Sequence, residues 1–310
     1  MSGIENPSAN RSAEKPPTRS IPPLDAGLYA LNENQTAFFK ELTGIKDDEE
    51  LKNHIIGIQH KAYEVFAYPC IRRFTFTTLK IARSPGFAAA QKLRATRPDA
   101  ILLDVGCCFG NDLRKAVLDG WPVENVIGSD LRPALWNYGH ELFKSTPESF
   151  PAAFIAGDVF DSSFLYPNPV SYENPRSPRP DFLEDITSLT ELQGHCSAIF
   201  AAAFFHLFDE PQQFQLAQRL ASLVSPLPGS IIFGSHIARP DTGARAELLK
   251  SISSRLFCHS PKTWAEMWDG GVFKKGTVRV QAGLKEVERR DSSTMPGKKI
   301  HIMYWSVTRV

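Results

Sequence analysis

The run Ile101-Leu102-Leu103-Asp104-Val105-Gly106 constrains this chain more than any other segment. A short continuous apolar run that stops at glycine is the pattern of a strand buried on both faces. Such strands belong to parallel sheets covered by helices. The pattern recurs. Residues 125–129 read as a second strand ending at Asp130, and residues 152–156 as a third ending near Asp158. Residues 198–202 read as a fourth, and residues 230–234 as a fifth. Helical spacing fills the gaps. Residues 113–118 are closed by Gly120, and residues 133–143 are opened by Pro133. Residues 209–224 start at Asp209, and residues 261–268 follow Ser260, two residue types that cap helices. Residues 278–287 and 300–307 read as two late strands. The alternation predicts an α/β fold, a mostly parallel seven-stranded sheet with helices on both faces. Ligands bind such sheets beyond the carboxyl ends of the strands, so functional residues are expected just after strands.

Upstream of residue 98 the texture is different. Residues 1–26 are rich in Ser, Pro, Asn and charge and are expected to be a disordered leader. Residues 27–97 are expected to form a helical lid. Phe38, Phe39 and Leu42 lie at helical spacing, and Asp47-Asp48-Glu49-Glu50 puts acid at the start of a second helix, where the macrodipole favours it. Pro69 breaks that helix, and Ser84-Pro85-Gly86 reads as a helical end. Residues 98–310 form the core, interrupted by an insertion at 161–181 with five prolines. A loop of that length inside a compact domain is functional or disordered.

Composition removes several classes. Lys+Arg at 35 against Asp+Glu at 34 leaves no excess positive charge for nucleic acid or an anionic membrane surface. No apolar run reaches the ~18–20 residues of a membrane span. The first ten residues lack the apolar stretch of a secretory signal, so a cytoplasmic location is expected. Five cysteines without a C-x-x-C pair read as reduced thiols, and no metal site is expected.

Three elements in order carry the chemistry. The first strand leads into Asp104-Val105-Gly106-Cys107-Cys108-Phe109-Gly110-Asn111. A dinucleotide fingerprint G-x-G-x-x-G fails here at Cys108 and Asn111. Acid-x-Gly-x-x-x-Gly stands instead. Asp130 follows about 20 residues later, where a carboxylate can accept from both ribose hydroxyls of a nucleoside, or cap the next helix. Gly157-Asp158-Val159-Phe160 closes the third strand, where Asp158 can accept from an adenine amino group or simply shape a turn.

This order resembles motif I and its successors in class I S-adenosylmethionine methyltransferases, a Rossmann-like fold. Gly128-Ser129-Asp130-Leu131-Arg132-Pro133, Phe154-Ile155-Ala156-Gly157-Asp158-Val159-Phe160-Asp161 and Phe204-Phe205-His206-Leu207-Phe208 extend the resemblance to fungal methyltransferases of meroterpenoid pathways, the austinol and terretonin type. It runs from about Tyr68 to the end, with Asn111 in place of Gln and Ala203 in place of Ser. It implies S-adenosylmethionine as cofactor, held by Asp104, Gly106, Cys107, Phe109, Gly110, Asp130, Leu131, Asp158, Val159, Phe160, Ala202 and Ala203. It also implies O-methylation, in the best-known members on the carboxyl of a prenylated polyketide acid.

A carboxylate is ionised at neutral pH and needs no base, so alignment and desolvation suffice. A phenol, amine or carbon acceptor needs one, and His206 after the fourth strand is the candidate. It can equally orient substrate or pack locally. A non-catalytic cofactor-binding regulator is the remaining class. Tyr68, Trp264 and Trp268 are expected to line a pocket for a small apolar acid, against the alternative of ordinary core packing. The lid and the Pro-rich insertion are expected to shape that pocket. His236 reads as a loop residue after the fifth strand, and Cys107 and Cys108 as packing rather than redox thiols. The sequence is compatible with a homodimer.

Overall fold

β1 (Ile101–Val105) is buried at every position and is an interior strand of a seven-stranded sheet. The computed structural model describes residues 21–175, 177–244, 257–288 and 299–310. β2 (Val126–Asp130) and β4 (Cys196–Ala202) flank β1 in parallel register. β3 (Ala153–Ala156) lies outside β2, and β5 (Ile231–Ala238) lies outside β4, both parallel to their neighbours. β8 (Val278–Glu288) and β9 (Lys299–Arg309) are the expected late strands. β9 pairs antiparallel with β5 and with β8, giving the order β3-β2-β1-β4-β5-β9-β8. β6 (Gly243–Ala244) and β7 (Phe257–Cys258) form a separate two-stranded ladder. The chain moves outward from β1 to β3, then returns past β1 to β4. That reversal opens a crevice at the carboxyl ends of β1 and β4.

Side chains alternate across the sheet, so each strand supplies two cores. Leu102, Phe200, Ile231 and Phe233 face one side, with α5 (Pro85–Thr96), α6 (Asn111–Leu118) and α7 (Pro133–Leu142). Leu103, Ile199, Ile232 and Trp305 face the other, with α8 (Glu210–Leu223) and α9 (Pro261–Trp268). Asp209 and Ser260 cap α8 and α9 as expected, each within a capping box. Ser84-Pro85-Gly86 does end a helix, with Ser84 as the C-cap of the short α4 (Lys80–Arg83), and it opens the next one at once. Pro85 takes the first position of α5, where its missing N–H costs nothing. Gly86 lets α5 sit against Phe233, since a Cβ there would lie 2.5 Å from the Phe233 Cβ.

The N-terminal helices have a core of their own. α1 (Glu33–Thr43) is capped by Asn32, and α2 (Asp48–Val65) by Asp47. Pro69 opens α3 (Pro69–Arg72) after a break at Phe66. Phe38, Phe39, Ile55 and Ile58 pack with Leu135, Leu142 and Phe143 of α7 and its end. The expected leader lies outside the described residues up to residue 20. Beyond it the Pro22 and Pro23 carbonyls accept from Tyr63 Oη and Arg72 Nε at 2.8 Å each.

Candidate functional site

The turn after β1 is built from left-handed backbone. Gly106 has φ 75°, Cys108 52° and Gly110 70°. Space as well as φ requires the two glycines. A Cβ on Gly106 would lie 2.9 Å from the Phe204 ring, and one on Gly110 2.5 Å from Trp136. Cys108 takes the same region at a cost of roughly 1–2 kcal/mol for a side-chain-bearing residue. Ala203, just past β4, does likewise at φ 54°, its N–H donating to Ser235 O at 2.6 Å. Both strands that border the crevice therefore end in strained turns, which cluster where a scaffold serves a site.

Asp130 organises this turn. Its Oδ2 accepts from the Cys108 N–H and its Oδ1 from the Arg132 N–H, both at 2.9 Å. Burial raises its pKa, and these N–H donors oppose the rise. Each oxygen keeps lone-pair capacity for a further donor. Asp158 is exposed at the end of β3, with Oδ1 taken by the Phe160 N–H at 2.9 Å. Asp104 is buried within β1, and its pKa is pushed well up by that burial and then by Asp112. Lys80 counters both acids electrostatically. Burial likewise raises the Cys107 and Cys108 thiols well above their ordinary value, which suits packing rather than nucleophilic chemistry.

Sequence reasoning missed the ties between the N-terminal region and this turn. Asn111 Nδ2 donates to Phe76 O at 2.9 Å, and Asp112 Oδ1 accepts from the Ile81 N–H at 2.8 Å. Both side chains are buried at the start of α6. An Asn-Asp pair at a helix start reads as exposed capping chemistry, so their burial had no signal in the sequence. Phe109 also turns toward this region, its ring 4.9 Å from Phe76 and 1% exposed. Leu131 is half exposed beside Asp130, whereas Val159 is buried.

Ala202, the last residue of β4, and Ala203 lead into a short turn, Phe205–Leu207, that carries half-buried His206. Phe204, Phe208 and Phe160 form a wall of edge-to-face rings, with centroids 5.4 Å and 5.0 Å apart. Phe205 turns the other way, 4.9 Å from Trp264. Trp264 and Trp268 are fully buried beside Trp305 on the α9 side of the sheet. His236 is not a loop residue. β5 continues to Ala238 because β9 pairs with it that far, and this places His236 inside the strand at 3% exposure. Trp305 Nε1 donates to its Nδ1 at 3.0 Å.

Tyr68 stands apart from the tryptophans. Burial raises the pKa of its hydroxyl and Arg132, next to Asp130, opposes the rise, while its ring is 4.2 Å from Phe66. The Arg132 guanidinium covers Phe66 at 4.9 Å. The Pro-rich insertion leaves the crevice after Phe160. Arg179 reaches Asp99 O and Asn125 Oδ1, at the amino ends of β1 and β2, at 3.3 and 2.6 Å. Tyr172 Oη accepts from the Lys274 N–H at 2.6 Å. The second half of this insertion braces the edge opposite the crevice, so it does not shape a pocket there.

A glycine turn, two acids at successive strand ends and an aromatic wall suit a nucleoside with a free ribose diol. Comparison with known proteins agrees. Residues 26–77 match the model of the meroterpenoid methyltransferase N-terminal domain. The asnovolin E/chermesin D methyltransferase nvfJ of Aspergillus novofumigatus is 31% identical over 244 residues, 79% of this chain and 78% of that protein. The chain belongs to the fungal meroterpenoid methyltransferase family. The O-methyltransferase phiE of Fungal sp. (strain ATCC 74256) is 30% identical over 247 residues, 78% of this chain and 72% of that protein. This family member is a methyltransferase of secondary metabolism, and its methyl donor is S-adenosylmethionine. Among solved structures, a Burkholderia thailandensis 1,6-didemethyltoxoflavin N1-methyltransferase is similar at TM-score 0.45 and 14% identity, over 95% of this chain and 97% of that one. No helix among the described residues is long and apolar enough to cross a membrane.

Proposed function

We propose that this methyltransferase esterifies the carboxyl group of a small, largely apolar meroterpenoid acid. The observation that carries the reading is the turn 202–208. It packs the rings of Phe204 and Phe208 against each other, carries His206 between them in the chain, and contains no carboxylate to act as a base. When bound, S-adenosylmethionine supplies an electrophilic methyl on a sulfonium centre. A substrate carboxylate is already the nucleophile, so the protein's task is to align it and strip its water. Asp130 would hold the ribose hydroxyls and Asp158 the adenine amino group. Asp104 would face the cofactor's ammonium, a cation that favours its ionised form. The Gly106–Gly110 turn would carry the amino-acid end, with Leu131, Val159 and Phe160 around the base and Ala202 and Ala203 near the methyl. His206 would donate to the carboxylate and orient it. Tyr68 would close the ribose side from the N-terminal helices, with Trp264 and Trp268 backing the acceptor side.

The test is product analysis with methyl-labelled S-adenosylmethionine and a panel of apolar aromatic acids and matched phenols. Methyl esters are the expected products. Methylation of phenols with the acids untouched overturns the carboxyl reading. In His206→Ala, turnover should fall about tenfold or more while cofactor affinity holds. Full retention removes the orienting role.

A further inference from the structure

Between β5 and α9, His236, Trp264 and Trp268 carry three ring N–H groups without an acceptor. His236 Nδ1 receives the Trp305 indole N–H at 3.0 Å, so a neutral ring carries its own proton on Nε2. The ring is held neutral. Burial pushes its pKa well down, and His206 and His259 push the same way. Nε2 has no hydrogen-bond partner, and neither have Nε1 of Trp264 nor Nε1 of Trp268. The His236 and Trp264 rings are 4.6 Å apart, and Trp264 and Trp268 are 5.8 Å apart. Interiors rarely leave such donors unmatched. Three of them together call for an acceptor from outside the chain.

We propose that the Nε2–H of His236, with the indole N–H of Trp264 beside it, holds an oxygen of the methyl-accepting acid. The place is right for substrate rather than cofactor. β5 lies three strands from β2 and Asp130, about 14 Å across the sheet. Phe205, whose ring is 6.0 Å from His236, immediately precedes His206 in the chain. The chemistry is also selective. The three N–H groups can only donate, so they favour a carboxylate or carbonyl oxygen over an ammonium or a hydroxyl proton. This inference rests on the carboxyl reading for the identity of the oxygen, and on the unpartnered donors for its location.

The probe is 4-phenylbutyrate, an apolar carboxylate, added to the full chain loaded with S-adenosylhomocysteine. Nitrogen-15 spectra should show the His236 Nε2–H and Trp264 Nε1–H resonances moving downfield on saturation. His236→Phe keeps the ring shape without the donor and should weaken binding roughly tenfold. His236→Gln returns an N–H near the Nε2 position and should recover most of it. Trp264→Phe should weaken binding less, with S-adenosylhomocysteine affinity unchanged throughout. Resonances that stay fixed at saturation, or equal binding by His236→Phe, overturn the inference and leave an ordered water as the acceptor. The carboxyl reading fails separately, through the labelled-product panel. If only phenols react there, the same variants are read against the phenol. An unchanged KM for it in His236→Phe then overturns the donor role.

Discussion

The backbone N–H of Cys108 donates to Asp130 Oδ2 at 2.9 Å. The turn after β1 and the acid ending β2 therefore hold each other before any ligand contact is counted. Asp130→Asn replaces one acceptor oxygen with a donor that faces an N–H of Cys108 or Arg132. It should weaken S-adenosylmethionine binding by about 1–3 kcal/mol and lower Tm as well. Calorimetric titration and a thermal melt measure the two effects. Unchanged affinity alongside a lowered Tm assigns Asp130 to the fold alone.

Gly139 lies in α7 where helix propensity favours alanine by about 1 kcal/mol. The contact reverses the sign. A Cβ there would sit 2.2 Å from the Phe109 carbonyl oxygen and 2.9 Å from its carbon, both main-chain atoms that cannot rotate aside. Gly139→Ala should push α7 off the turn, cost about 1–3 kcal/mol and weaken cofactor binding with it. A raised Tm by differential scanning calorimetry would show that α7 can shift freely.

Cys108 tests how much strain the turn stores. Its φ of 52° suits glycine and resists a branched side chain. Cys108→Gly should leave stability within about 1 kcal/mol of wild type, relief of strain offsetting lost backbone restriction and packing. Cys108→Val should lose about 1–2 kcal/mol and bind the cofactor more weakly. Equal chemical-denaturation midpoints for the two variants would mean the turn relaxes at no cost.

The parts of this protein that local pattern governs were readable in the sequence. Strand ends place Asp104, Asp130 and Asp158, and capping residues place Asp209 and Ser260. Tertiary pairing decides the rest. His236 reads as a loop residue because its strand is extended by β9, whose Met303 lies far along the chain. Asn111 and Asp112 are buried because residues 76–81 cross the start of α6. Trp264 and Trp268 have the spacing of a pocket wall and of a core alike. Only the sheet beneath them sets their rings against Trp305, with both indole N–H groups left without a partner. The reach of Arg179 to Asn125 likewise makes the second half of a loop expected at the crevice a brace on the far edge.

Buried histidine gives this fold a pH dependence of definite sign. Burial lowers the His259 pKa from the ordinary 6.5 to about 4. Its Nδ1 lies 3.1 Å from Thr263 Oγ1 in the first turn of α9, and the side chain is 4% exposed. As pH falls, the unfolded chain takes up this proton first. The stability tied to the neutral ring is complete above 6.5 and is lost as pH falls toward 4. Between pH 7.5 and 5 the loss is about 2 kcal/mol for this ring, at ~1.4 kcal/mol per unit. His236 acts in the same direction, while Asp104, with its raised pKa, acts in the opposite one. The total slope therefore mixes several groups, and a variant isolates one. His259→Asn keeps a polar atom near Thr263 but cannot titrate in this range. It should be less stable than wild type at pH 7.5 and lose about 2 kcal/mol less on going to pH 5. Urea unfolding at both pH values measures the difference, and parallel losses in the two proteins would show that His259 is already charged when folded.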